Sequence, residues 1–362
     1  MDEDRCVCIA LALLPELRGR AGDLLRDVDR PATLRGGSGL PIAVRARWRD
    51  DRLWQAVRTC EAAAARAGYR IVTWVDRDFP ESLRRIPHPP AALWVEGTWP
   101  LPSPPRLAVV GSRRATPYGL QVVRFLLPHL IAHRIPIISG FARGIDTAVH
   151  TLCVEQQGYT IAVFGHGLQH TYPRENQKLR RTLRNGYGTL ISEYPPDVPP
   201  RPELFPIRNR LISGLADVVL VVEAPARSGA LNTAHWALEQ GRAVLAVPGS
   251  ILRTTSVGTN FLIQQGLAQA VLRWQDIART LGIETRTHAV PLDTAEPTAS
   301  DWVRELLQRI PLDEPVHIDT LIRWAHERGI DTDALYTRLL ELEMADRIRS
   351  LPGRRYIRLV GK

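Results

Sequence analysis

Between residues 100 and 283, short apolar runs alternate with longer stretches whose apolar residues recur at helical spacing. The runs are Leu107–Val110, Ile137–Ser139, Thr160–Phe164, Gly188–Ser192, Asp217–Glu223 and Ala243–Val247. Each is short and largely aliphatic, as strands covered on both faces are. Strand and helix patterns in alternation predict a parallel, doubly wound α/β sheet. Upstream, Val7–Leu14 and Leu53–Ala65 carry helical periodicity between Gly- and Pro-bearing breaks, which predicts a small helical domain over residues 1–80. A proline-rich joint from Phe79 to Pro105, with a strand candidate at Ala92–Gly97, opens the core of residues 81–283. Residues 284–298 are polar, hold Pro291 and Pro297, and read as a linker. Residues 299–362 show three helical patterns and then two short strands around Pro352-Gly353, the order of a winged helix.

Two strand ends carry the candidate chemistry. Leu107–Val110 runs into Gly111-Ser112-Arg113-Arg114, and Ile137–Ser139 into Gly140-Phe141-Ala142-Arg143-Gly144. Glycine lets backbone approach a ligand, and a helix N-terminus offers amide groups and partial positive charge to an anion. Any doubly wound sheet also needs small residues where strand turns into helix. Arginine in both turns, at the carboxyl ends of parallel strands, favours a ligand. The expected guest is phosphate, with Arg113 as the central charge and backbone donors from Gly111, Ser112 and the 140–144 turn. Ser228-Gly229, at another helix start, adds donors. Phe205 precedes Arg208-Asn209-Arg210 and reads either as a platform for a base or as ordinary core.

Other groups point away from catalysis. Asp146 and His150 are four apart and could pair as acid and base, yet Asp146 stands where a helix cap belongs. His166 and His170 flank Gly167 in a loop after a strand with no Glu in an H-E-x-x-H arrangement, and no G-x-x-x-x-G-K-[ST] pattern occurs, so no metal, cofactor or ATP hydrolysis is expected. Cys6, Cys8, Cys60 and Cys153 form no paired motif, no apolar stretch is long enough to span a bilayer, and the chain opens on Asp2-Glu3-Asp4. A reduced, cytoplasmic, soluble protein is expected.

Charge strengthens the phosphate reading. The formal net charge is +9, and residues 100–283 hold 19 basic against 10 acidic side chains, so the excess sits in the core. Only Lys178 and Lys362 are lysines. Arginine grips phosphate bidentately and stacks on bases. The C-terminal segment is neutral, with arginines on its hairpin at 347, 349, 354, 355 and 358, which fits weak DNA contact or, preferably, a protein-contact role.

The ordered motifs resemble the DprA/Smf family of bacterial DNA-processing proteins. The resemblance runs through Val110-Gly-Ser-Arg113 with Tyr118-Gly119, Ser139-Gly-Phe-Ala-Arg-Gly-Ile-Asp146 with His150, Thr160-Ile-Ala-Val163 with Tyr172-Pro173, and Ile191-Ser-Glu-Tyr-Pro195. It continues through Phe205-Pro-Ile-Arg-Asn-Arg210, Val221-Val-Glu-Ala224, Ser228-Gly229, Val247-Pro-Gly249 and Gly258-Thr-Asn260. Phe141 stands where the family usually has leucine, and Leu267 where alanine is common. The resemblance implies a Rossmann-like core between a sterile-alpha-motif-like or helix-hairpin-helix-like domain and a winged helix. It also implies a non-enzymatic mediator that binds single-stranded DNA, protects incoming DNA and loads the RecA recombinase during natural transformation, dimerising through the core. Phe261–Val271 is a candidate interface. The DNA-contacting set expected on these grounds is Gly111, Ser112, Arg113, Arg114, Gly140, Phe141, Ala142, Arg143, Gly144, Lys178, Arg201, Phe205, Arg208, Asn209, Arg210, Ser228 and Gly229. A phosphoribohydrolase-like enzyme is the alternative, but Ala226-Arg-Ser-Gly229 lacks that motif's second glycine and glutamate.

Overall fold

The computed structural model describes residues 2–284 and 301–359, so nearly all of the expected linker, and Lys362, lie outside the described residues. The chain divides into two units, one of residues 1–114 with 127–283 and one of 115–126 with 284–362.

In the first unit, nine strands make one sheet: β1 (Arg70–Thr73), β2 (Ala92–Gly97), β3 (Leu107–Val110), β4 (Ile137–Ser139), β5 (Thr160–Phe164), β6 (Gly188–Ser192), β7 (Val218–Val221), β8 (Ala243–Ala246) and β9 (Gln269–Ala270). Their order is β1-β2-β6-β5-β4-β3-β7-β8-β9, with β1 and β2 antiparallel to their neighbours and every other pairing parallel. β3 to β7 bury every residue, as strands between two layers must. Alternate side chains go to opposite faces. In β5, Ala162 and Phe164 share a cluster with Leu11, Trp48 and Trp94, whereas Ile161 and Val163 share one with Leu211, Leu215 and Ala234.

The helices are α1 (Glu3–Leu13), α2 (Ile42–Trp48), α3 (Asp51–Arg66), α4 (Glu81–Arg84), α5 (Pro117–Ala132), α6 (Ile145–Glu155), α7 (Gln177–Thr182), α8 (Leu204–Leu215), α9 (Gly229–Glu239), α10 (Val257–Gln264) and α11 (Trp274–Thr280). Asp2 and Asp50 cap α1 and α3 by accepting the amides of Asp4 and Arg52. α1 to α3 bury their apolar residues in the same cluster as Trp94 and Phe164, so the N-terminal helices share the sheet's core. β1 falls inside the segment expected to be helical, where Ile71 pairs with Trp94 and lengthens the sheet.

The chain leaves β3 toward β4, β5 and β6 on one side, and later leaves β7 toward β8 and β9 on the other. β3 and β7 are neighbours, so strand order reverses between them, and the carboxyl ends of such a pair open into a crevice.

In the second unit, α12 (Asp301–Arg309), α13 (Ile318–Glu327) and α14 (Thr332–Met344) stand beside a three-stranded antiparallel sheet of β10 (Val316–His317), β12 (Arg355–Arg358) and β11 (Ile348–Leu351). Leu306, Leu321, Trp324, Leu335, Leu339 and Ile348 form its core. This is the expected winged helix, with β10 an added strand. The fold class is therefore α/β, with a mostly parallel sheet and a C-terminal winged helix. Among the described residues, no helix is long and apolar enough to cross a membrane.

Candidate functional site

The crevice at the β3/β7 reversal is a hollow of about 410 Å³. Its walls are the turn after β3 (Gly111 to Arg114), Ala142 and Asp146 from the turn after β4, Arg208 and Asn209 from α8, and the turn from Pro225 to the start of α9. A second hollow of about 250 Å³ is lined by Tyr172, Phe205 and Pro200, Pro202 and Pro206, together with Arg113, Asn209 and Gly229. Arg113, Asn209 and Gly229 line both, so the two adjoin. One carries arginine charge and the other carries rings.

The two glycine-bearing turns are locked to each other. Ile145 donates its amide to the carbonyl oxygen of Ser112 at 3.1 Å. A Cβ on Gly111 would fall 2.6 Å from Ile145 Cγ1, and Gly144 adopts φ +77° against the Ser112 carbonyl. These glycines therefore pack turn on turn. Ser112 is buried, and its Oγ accepts the Arg114 amide at 3.1 Å, which leaves Arg113 and Arg114 projecting as exposed side chains.

Beneath them lie two buried ionisable side chains, Asp146 and Arg208, each bonded to the Gly140 backbone. Asp146 Oδ2 accepts the amides of Gly140 (3.1 Å) and Ala142 (3.2 Å). Arg208 donates Nη1 to the Gly140 carbonyl at 2.9 Å and to the Val163 carbonyl, and Nε to Asn209 Oδ1 at 3.2 Å. Burial pushes the Asp146 carboxyl above the usual carboxylate range, against the pull of Arg208 and the two amides. Burial lowers Arg208 to about 10, and it remains a cation at neutral pH. Asn209 donates Nδ2 to Asn232 Oδ1 at 3.0 Å and to the Gly229 carbonyl at 3.2 Å, tying α8 to the start of α9. Ser228 caps α9 by accepting the Ala230 amide at 3.2 Å.

The junction of the two hollows is an arginine-aromatic stack. The Arg113 guanidinium carbon lies 5.2 Å from the Phe205 ring centroid, and that of Arg208 5.8 Å. Tyr172 stands 5.5 Å from Phe205, ring to ring. Phe205 is half-buried, with a face on the second hollow. Fixed cations beside an accessible ring suit a phosphate with a base attached.

The expected residues separate into three groups. Gly111, Ser112, Arg113, Arg114, Ala142, Arg208, Asn209, Ser228 and Gly229 line the charged hollow, and Phe205 lines its neighbour. Gly140 and Gly144 shape the site, but the Gly140 and Ala142 amides are consumed by Asp146 and so are not ligand donors. Phe141 takes φ +59°, which turns its ring inward against Phe164 (5.0 Å) and His150 (5.5 Å), and it is buried. Arg210 is 1% exposed, paired with Glu193 and bonded to the His88 carbonyl at 2.7 Å. Exposed Arg143 pairs with Glu175. Lys178 and Arg201 are exposed and line neither hollow.

Asp146 binds loop amides rather than capping its own helix, whose N-cap is Gly144. His150 is bonded to Thr160 Oγ1 at 2.8 Å and is held neutral by burial. Arg227 and Tyr172 were missing from the expected set. Arg227 adds a cation to the first hollow and Tyr172 a ring to the second. Arg227 directly precedes Ser228-Gly229, and its charge beside that helix start is the signal that points to it.

Comparison with known proteins agrees with this architecture. Residues 70–282 match the model of the DNA recombination-mediator protein A family, and residues 290–354 match that of the DprA winged helix domain. The chain is 40% identical to protein Smf of Escherichia coli over 286 residues, 78% of this chain and 75% of that one. It is 41% identical to DNA processing protein DprA of Bacillus subtilis over 61% of this chain and 74% of that one. Among solved structures, DprA of Streptococcus pneumoniae aligns with a TM-score of 0.61 at 31% identity, covering 79% of this chain and 99% of that one. DNA processing protein A of Helicobacter pylori, described for its single-stranded DNA binding mode, aligns at 0.53 and 29% identity, covering 59% of this chain and 95% of that one. The chain belongs to the DNA recombination-mediator protein A (DprA/Smf) family.

Proposed function

We propose that this protein is a non-enzymatic recombination mediator that holds single-stranded DNA in the paired hollows at the β3/β7 reversal. The observation that carries the reading is Arg113, which lines both hollows and stacks beside Phe205. In this reading Arg113, Arg114 and Arg227 take phosphates, and Phe205 with Tyr172 takes a base. Buried Asp146 and Arg208, each bonded to the backbone of the Gly140 turn, fix the floor. A duplex offers no unstacked base to the ring-lined hollow, so single strands are preferred. The single-strand binding mode described for the Helicobacter pylori relative supports the same assignment.

The cellular role we propose is protection of incoming DNA and loading of RecA during natural transformation, in the cytoplasm. We further propose a homodimer formed through the Rossmann-like core. Phe261 and Leu267, both inside the expected interface stretch, are 51% and 41% exposed, which supports that site.

The test is a titration with labelled oligothymidine at several salt concentrations. Log affinity is expected to fall with log salt by ~0.7 per phosphate neutralised, with weaker binding of duplex of the same length. Salt-independent binding, or equal affinity for duplex, contradicts the pocket. Release of free base from nucleoside monophosphates contradicts the non-enzymatic assignment.

A further inference from the structure

The charges of the winged-helix unit are unevenly placed. Its wing carries exposed Arg349, Arg354 and Arg355. Helix α14 is the opposite. Within α14 three acidic side chains (Asp333, Glu341 and Glu343) stand against Arg338 alone, itself paired with Glu341 at 2.7 Å, and Asp331 and Asp346 flank the helix. α14 follows α13 across a short turn, the position from which a helix-turn-helix module reads a DNA groove. Duplex DNA carries one negative charge per ~1.7 Å of axis, so a helix with this balance is repelled from that groove.

The same helix holds apolar surface in water. Leu335, Leu339 and Leu342 bury one stripe in the core of the unit. Tyr336, Leu340 and Met344 form a second stripe at four-residue spacing, 41%, 59% and 81% exposed. At ~100° per residue, Asp333 and Glu343 fall on or beside this second stripe. Apolar anchors at this spacing are how helices recognise other helices, and acids beside them select a basic partner.

We propose that the outer face of α14 is a docking site for a basic amphipathic helix of another protein. The apolar stripe supplies the contact area and Asp333 the main selection for Lys or Arg, while Glu343, whose Oε1 already accepts the Ser350 amide (2.8 Å) and hydroxyl (2.6 Å), adds negative charge beside it. This site is separate from the paired hollows and does not depend on DNA occupying them.

The test uses the full chain and three labelled peptides of about 18 residues, long enough to be helical. The first has leucines on one face and lysines elsewhere, the second replaces lysine by glutamate, and the third scrambles the first. The lysine helix is expected to bind, with the other two at least about tenfold weaker. Leu340→Ala/Met344→Ala, which removes exposed side chains only, is expected to cost about tenfold with Tm unchanged. Asp333→Asn is expected to cost a few-fold and to flatten the salt dependence. The proposal fails if the lysine helix does not bind, binds no better than its scramble, or ignores both variants. It also fails if the double variant weakens duplex DNA binding, which makes α14 a DNA helix, or changes the sedimentation of the full chain, which makes it a self-association face.

Discussion

The carbonyl oxygen of Ser112 occupies the place where a side chain on Gly144 would have to go. An ideal Cβ on Gly144 falls 2.2 Å from that oxygen, and the residue's φ of +77° is already one that other residues resist. The two phosphate-cradle-like turns are thus one object, closed by the Ile145 amide on the same carbonyl at 3.1 Å. Gly144→Ala is expected to cost ~1–3 kcal/mol in urea unfolding and to weaken oligothymidine binding in the fraction that stays folded. Unchanged stability contradicts the coupling of the turns.

Phe205 separates a base platform from ordinary core. Its ring borders the second hollow, so Phe205→Ala removes a stacking surface worth ~1–3 kcal/mol per base. Affinity for oligothymidine is expected to fall at least about fivefold, and Phe205→Tyr is expected to restore it. A variant that loses stability but not affinity assigns Phe205 to packing.

Arg210 makes the opposite case. With one partner removed, the buried Arg210–Glu193 pair leaves an uncompensated charge, at a cost of ~3–5 kcal/mol. Arg210→Ala is expected to lower Tm sharply, while the protein that remains folded binds oligothymidine normally. Lost binding at unchanged Tm would return Arg210 to the DNA site.

Burial gives the fold a defined acid response. His150 is lowered to about 3 from an ordinary 6.5, so the unfolded chain takes up the proton first as pH falls, and stability is lost between those values. At pH 5 this one group costs about 2 kcal/mol. Asp146 works the other way: its raised carboxyl binds a proton more tightly in the folded state, so acidification returns stability there. His150→Gln keeps Asp146 and removes only the histidine contribution. Between pH 7 and pH 5 the variant is expected to lose about 2 kcal/mol less than the parent in urea unfolding. Equal losses mean that His150 is not buried neutral.

The core strands and the arginine turns were legible in the sequence because both are local signals, an aliphatic run and a glycine beside charge. What escaped depends on partners and backbone turns that the local pattern does not name. β1 offers only Ile71 and Val72 as apolar signal, and becomes a strand because β2 is there to pair with it. Phe141 is buried by the backbone turn at its own position, which its chemistry does not announce. Arg210 and Arg208 look alike in sequence and both are buried, yet Arg208 borders the first hollow while Arg210 pairs with Glu193 just after β6. The amides of Gly140 and Ala142 read as free donors in the sequence, whereas Asp146 Oδ2 takes both.

Arg113 decides between the core and the wing as the DNA site. Arg113→Ala removes one charge that is also exposed but lies beside the Phe205 ring at the junction of the two hollows, where a charged hydrogen bond to a seated phosphate is worth ~1.5–3 kcal/mol. Arg354→Ala/Arg355→Ala removes two exposed charges from the wing hairpin, where screening leaves each worth ~0–1 kcal/mol. Both variants and the parent are titrated with labelled oligothymidine at one salt concentration. The single core substitution is expected to weaken binding at least about tenfold, and more than the double wing substitution. A larger loss in the wing variant contradicts the pocket and moves the binding site to the winged helix.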